Sequence, residues 1–150
     1  SVPYLADVAR LELLRVRAFH AADAEPLTPE QVARALADPE RLPALRATCH
    51  PSLGVLRSRY AVVSLWAAHQ GIGDLARVDP FLPESALVVR GGLEVQVIAL
   101  PPGGDVLVAG FANGLMLGDA AALAASAHAD FDLTTPLALL LRHGALCSLN

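Results

Sequence analysis

The feature that most constrains this chain is a pair of β-rich runs, Ala86-Leu87-Val88-Val89-Arg90 and Leu93-Glu94-Val95-Gln96-Val97-Ile98, separated by Gly91-Gly92 and closed by Pro101-Pro102-Gly103-Gly104. Two glycines between such runs are the signal of a two-residue hairpin turn. Leu93, Val95 and Val97 alternate with Glu94 and Gln96, which predicts one buried and one wet face along the second strand. A two-stranded ribbon is at best marginally stable in water, so other elements must cover its apolar face. Three short helical patterns follow, at about 105–112, 119–128 and 133–143, the last with Asp132 as its N-cap. The expected fold class is therefore α+β: N-terminal helices plus a small antiparallel sheet, built on the hairpin of about 86–98 and covered by the three C-terminal helices.

Upstream, residues 4–21 place Leu5, Val8, Ala9, Leu11, Leu14 and Phe19 near helical spacing, with Pro3 suited to the first turn and with Asp7 and Glu12 expected on a solvated face. Thr28-Pro29-Glu30-Gln31 has the form of a capping box and opens a short helix to about Ala37. The stretch 45–58, around Pro51, fits one bent strand or two short ones. Tyr60 to Gln70 is apolar almost all round, as a buried helix would be, and Gly71-Ile72-Gly73 ends it. Pro80 and Pro83 mark 74–85 as a loop. It divides a helical and mixed segment, 1–73, from an α+β segment, 86–150, within what the 150 residues would make one unit.

Composition narrows the function. Hydrophobic residues make up 54% and charged residues 17%, too apolar for disorder. Charges and prolines interrupt every apolar stretch before it reaches the ~18 residues of a membrane span. The formal charge is −4, which disfavours nucleic acid, and all 11 basic residues are Arg, which removes lysine Schiff-base and P-loop chemistry. Cys49 and Cys147 lie far apart without a C-x-x-C partner, so a reducing, cytoplasmic setting is expected, with neither a disulfide framework nor a zinc site. His20, His50, His69, His128 and His143 show no metal-ligand spacing. Cys49 and His50 are neighbours and would point to opposite sides of a strand, and Ser52 and Ser58 lack a nucleophile-elbow context. No base, nucleophile and orienting group can be assembled, so no catalytic residue and no metal site are assigned. What stands out instead is Leu56-Arg57-Ser58-Arg59-Tyr60 leading to Trp66 and His69. Arg, Tyr and Trp are the commonest anchors of protein interfaces, which makes Arg57, Arg59, Tyr60, Trp66 and His69 candidate partner-binding residues.

Several blocks together, Pro3-Tyr4-Leu5-Ala6-Asp7-Val8-Ala9-Arg10-Leu11-Glu12, Ala18-Phe19-His20-Ala21-Ala22-Asp23, His50-Pro51-Ser52-Leu53 with the arginine segment, and Leu65-Trp66-Ala67-Ala68-His69-Gln70, resemble the HvfC/BufC family over nearly the whole chain. Members often carry the label of a DNA-binding domain, and they typically have a further N-terminal helical domain of roughly ninety residues, so the resemblance implies that this chain is a fragment. It also implies a non-catalytic accessory subunit that binds a multinuclear iron enzyme acting on cysteines of ribosomally made precursor peptides. The iron then belongs to the partner enzyme, and this chain holds no cofactor.

The hairpin followed by three helices, with Leu115-Met116-Leu117-Gly118-Asp119-Ala120 opening the middle one, further resembles the winged-helix-like PqqD-type elements that recognise leader peptides. In that mode an extended peptide adds to a sheet edge. Val88, Arg90, Glu94 and Gln96 are the corresponding peptide-binding candidates. The alternative is a DNA-binding winged-helix regulator, yet 119–141 contains Asp119, Asp130 and Asp132 and no basic residue before Arg142, which suits neither base readout nor phosphate neutralisation. Self-association is left open, since a surface made for a partner can pair with itself.

Overall fold

The computed structural model describes residues 2–150. In chain order the elements are α1 (Leu5–His20), α2 (Pro29–Leu36), β1 (Ala47–Cys49), β2 (Gly54–Ser58), α3 (Val62–His69), β3 (Glu84–Val89), β4 (Gln96–Leu100), α4 (Gly104–Ala112), α5 (Leu117–Ala127), α6 (Thr134–Arg142) and β5 (Leu146–Leu149). The α+β class is as expected. The winged-helix likeness of the C-terminal part rests on sequence resemblance, not on this topology.

Local chemistry explains the starts of α2 and α6. The α2 capping box is complete: Thr28 Oγ1 accepts from Gln31 N at 3.2 Å and Gln31 Oε1 accepts from Thr28 N at 2.9 Å. Asp132 caps α6, its carboxylate accepting from Thr134 N, Thr135 N and Thr135 Oγ1. Those bonds favour the ionised form and hold the Asp132 pKa below the usual carboxylate range, the Thr135 hydroxyl contributing most. The start of α3 has no cap of its own, and Glu84 of β3 supplies one from across the fold, accepting from Ser64 N at 3.0 Å and Ser64 Oγ at 2.8 Å.

The ambiguous stretch 45–58 resolves into two strands that serve different sheets. β1 pairs antiparallel with β5, Ala47 opposite Leu149, while β2 joins an antiparallel sheet of order β2-β3-β4. Central β3 is buried on both faces. Ala86 and Val88 join Leu11 and Ala18 of α1 and Val62 of α3 in one core cluster. Leu87 and Val89 join Leu107, Phe111, Leu117 and Leu140 of the C-terminal helices, together with β1 and β5, in the other. The three C-terminal helices therefore cover only one side of the sheet, and α1 with α3 covers the other, because the four consecutive apolar residues Ala86–Val89 present side chains to both faces and need two covers.

Three further expectations change. The last hairpin pair is Val89 with Gln96, so the connection is the six residues 90–95 and not Gly91-Gly92 alone. Gly91 serves close approach instead of a tight turn: a Cβ there would lie 2.3 Å from the His143 carbonyl oxygen, beside Gly144, which turns the chain out of α6 with φ +66°. Leu93 falls in this connection, 98% exposed, and only Val95 and Val97 of the expected alternating face pack against the α1 cluster. Finally, α3 buries Val62 and Leu65 but leaves Trp66 half-buried and His69 exposed, so it lies on the sheet and is not enclosed by it.

Candidate functional site

Helix α1 is apolar on two faces, and only one of them is used inside the fold. Leu11 and Ala18 are fully buried, with Val8 and Leu14 packed beside them. On another face Leu5, Ala9, Leu13, Val16 and Phe19 follow one another at steps of four, four, three and three residues, all of them exposed. The four large side chains of this stripe are between 48% and 66% exposed. Such spacing makes a continuous apolar stripe along a helix. Its C-terminal half forms one wall of a groove of about 520 Å³, whose other wall is the hairpin connection with Leu93, Glu94 and Val95.

The floor and rim of this groove are held by charge. Glu12 accepts from Trp66 Nε1 at 2.6 Å and from Arg15 Nη1 at 2.9 Å, and the Arg15 guanidinium lies over the Trp66 ring, 5.0 Å from its centroid. Glu12 thus ties α1 to α3 while its side chain stays 43% exposed. Asp7 is a second tie, accepting from Ser58 Oγ of β2 and from Arg10. Asp7, its side chain only 16% exposed, departs from the expected solvated face, whereas Glu12 keeps it; their tying partners Ser58 and Trp66 come from 51 and 54 residues away.

The partner-binding candidates do not form one patch. Trp66 lies against α1 on one side of the sheet. Arg57 is on the other side, its Nε 2.5 Å from the buried Asp105 carboxylate of α4. The alternation of β2 explains the split, because Leu56 packs with the α1 cluster and Val55 with the opposite one. Arg59 is exposed, Tyr60 is half-buried with its ring 6.2 Å from that of Phe81, and His69 is exposed at the end of α3.

The peptide-binding candidates also separate. Val88 is fully buried in the central strand, so it belongs to the core and offers nothing to a peptide. The side chain of Arg90 is 13% exposed and already engaged: it donates to the Ala18 and Ala21 carbonyls and to Asp23, tying the hairpin to the end of α1. Glu94 and Gln96 are exposed, as a binding role requires, with Gln96 in contact with the His143 ring. Burial, and then the neighbouring Arg142, keeps the His143 pKa below its ordinary value.

The thiols of β1 and β5 and the serine–histidine pair of the β1–β2 turn are packed within the fold, Ser52 Oγ lying 2.8 Å from His50 Nδ1. Cys49 and Cys147 are free, half-buried thiols on paired strands, and burial pushes both pKa values up, away from reactivity. His50 and Ser52 are both buried. His50 Nδ1 accepts from Ser52 N at 3.1 Å and Ser52 Oγ accepts from Arg90 N at 2.7 Å, a chain of bonds that locks the β1–β2 turn to the end of β3. Among the described residues no group of three or more His, Cys, Asp or Glu could hold a metal ion, and no helix is long and apolar enough to cross a membrane.

Neither protein-family models nor curated proteins give a match to this chain. The surface residues that sequence reasoning missed are Leu13, Val16 and Leu93. The signal for the first two was present, since the apolar residues of α1 divide into two helical stripes, but Leu5 and Phe19 were counted with the core stripe.

Proposed function

We propose that this chain is a non-catalytic accessory subunit of the HvfC/BufC kind, which docks a multinuclear iron enzyme and presents a ribosomally made precursor peptide for cysteine modification. The observation that carries the reading is the second apolar face of α1, which ends in a groove beside Leu93. Contiguous apolar patches of this sort, rimmed by charge, mark protein interaction sites. The enzyme docks on this stripe, with Arg15 and Glu94 at its rim. The precursor peptide lies along β4, an edge strand that among the described residues pairs with β3 alone and whose Gln96 is exposed. The metal chemistry stays with the partner, and this chain contributes binding and orientation.

The test is co-purification of the chain with the multinuclear iron enzyme encoded beside its gene, with metal analysis of the complex and of the isolated chain. A stable complex with iron confined to the enzyme is expected. Phe19→Glu should weaken it by about 2 kcal/mol, roughly thirtyfold in Kd, at unchanged circular dichroism, because Phe19 is 66% exposed and belongs to neither core cluster. Loss of the complex in the wild type, together with tight, salt-sensitive binding to duplex DNA, would overturn the reading in favour of a DNA-binding regulator. Association of the chain only with itself would assign the stripe to a homo-oligomer instead.

A further inference from the structure

A second groove, of about 400 Å³, lies on a different part of the molecule, between β2 and α4. Leu53, Gly54 and Val55 form the strand side. The helix side is Val108, Ala109 and Ala112, which with Asp105 stand at i, i+3, i+4 and i+7 and so share one face of α4. Ala109 and Ala112 are exposed and small, which leaves the groove open to a backbone.

β2 is the other edge of the three-stranded sheet. It pairs with β3 on one side only, and among the described residues no other segment bonds to the backbone of Gly54–Ser58. An unpaired strand edge beside a shallow apolar helix face is the geometry that accepts an extended peptide, main-chain bonds supplying affinity and alternate side chains entering the groove.

Charge at one end of the groove selects among such peptides. Asp105 is buried and holds Arg57 through its Nε, while the Arg57 side chain is 69% exposed and its two terminal nitrogens have no partner among the described residues. A buried carboxylate on one side of a guanidinium fixes its plane and leaves its outward fork free for a second carboxylate. Arg59, two residues further along the chain, is exposed and without an ion-pair partner among the described residues. We propose that the β2–α4 groove binds an extended, acidic segment of a partner polypeptide by strand addition to β2, small apolar side chains lying over Ala109 and Ala112 and one carboxylate on Arg57. This site is independent of the α1 stripe and of the β4 edge.

The experiment is an amide chemical-shift titration of the whole chain with acetylated octapeptides in which valine or alanine alternates with serine and one aspartate replaces each valine or alanine in turn, so that its carboxylate shares the face of the apolar side chains. Saturable shifts at 54–58 and 105–112 are expected. They should weaken by about tenfold or more when the aspartate becomes asparagine, and equally when alternate peptide nitrogens are methylated so that strand addition is blocked. Arg57→Gln should abolish the aspartate preference. Because that change also leaves Asp105 without its cation, Ala109→Glu at an exposed helix position is the second variant, and it should abolish binding at an unchanged fold. Absence of saturable shifts across the panel at millimolar peptide, shifts confined to 96–100, or full binding by Ala109→Glu would each overturn the proposal.

Discussion

The two arms of the hairpin, β3 and β4, are about equally rich in strand-forming residues, yet they have opposite fates. From Ala86 to Val89 every residue of β3 is buried, whereas β4 exposes Gln96 and Ala99 and buries only Leu100. The difference is one of position: β3 has a strand on each side and a helical layer on each face, and β4 has one strand neighbour and an open edge. Burial in a small sheet is thus assigned by strand order, and strand propensity alone does not distinguish the arms. The connection between them repeats the contrast at single residues, with Arg90 and Gly91 packed against distant backbone and Gly92 and Leu93 in open space.

That contrast can be broken by mutation. Leu87→Ala removes a fully buried side chain from the larger core and should cost about 2–5 kcal/mol in urea unfolding. Leu93→Ala should stay within about 0.5 kcal/mol. Comparable costs for the two would mean that the hairpin connection is packed and the α1 groove closed. Next in size, Gly91→Ala forces a Cβ onto the His143 carbonyl and should destabilise by about 1–3 kcal/mol, while Gly92→Ala, with nothing within 4 Å, should be close to neutral. If both were neutral, the hairpin would not rest on the end of α6.

The smallest effect sharpens the comparison at Arg90. The hydrogen bond and charge of Arg90 hold the Asp23 carboxyl below its ordinary range. A lowered carboxylate pKa means that the pairing acts fully above the unfolded value, ~3.9, and is lost as pH falls through the folded one. Arg90→Gln should therefore let the Asp23 pKa rise toward the unfolded value in a side-chain NMR titration. An unmoved titration would show that Arg90 is free of α1 and available to a ligand after all.

Much of the fold was legible locally. The Thr28–Gln31 capping box, the Asp132 cap, the glycines after Gln70 and the periodicity of α1 all act within a few residues, so the helix spans follow from the chain itself. β5 was not legible. Leu146–Leu149 is four residues long, and its partner β1 comes from a distant part of the chain, so no local period announces it. The interaction surface was half legible: the interface-prone residues were recognised by type, but Arg57 and Trp66 fell on opposite sides of the sheet, and Leu13 and Val16 of the outer α1 stripe were not singled out.

What the sequence by itself determined is the apolar excess, the capping chemistry and the order of the helices, because these depend on neighbours within one or two turns. Only the tertiary structure decided which apolar faces are spent. Strand order and the packing of α1 against β2 and β3 consume one face of that helix and leave the other in water, and no local pattern carries that information.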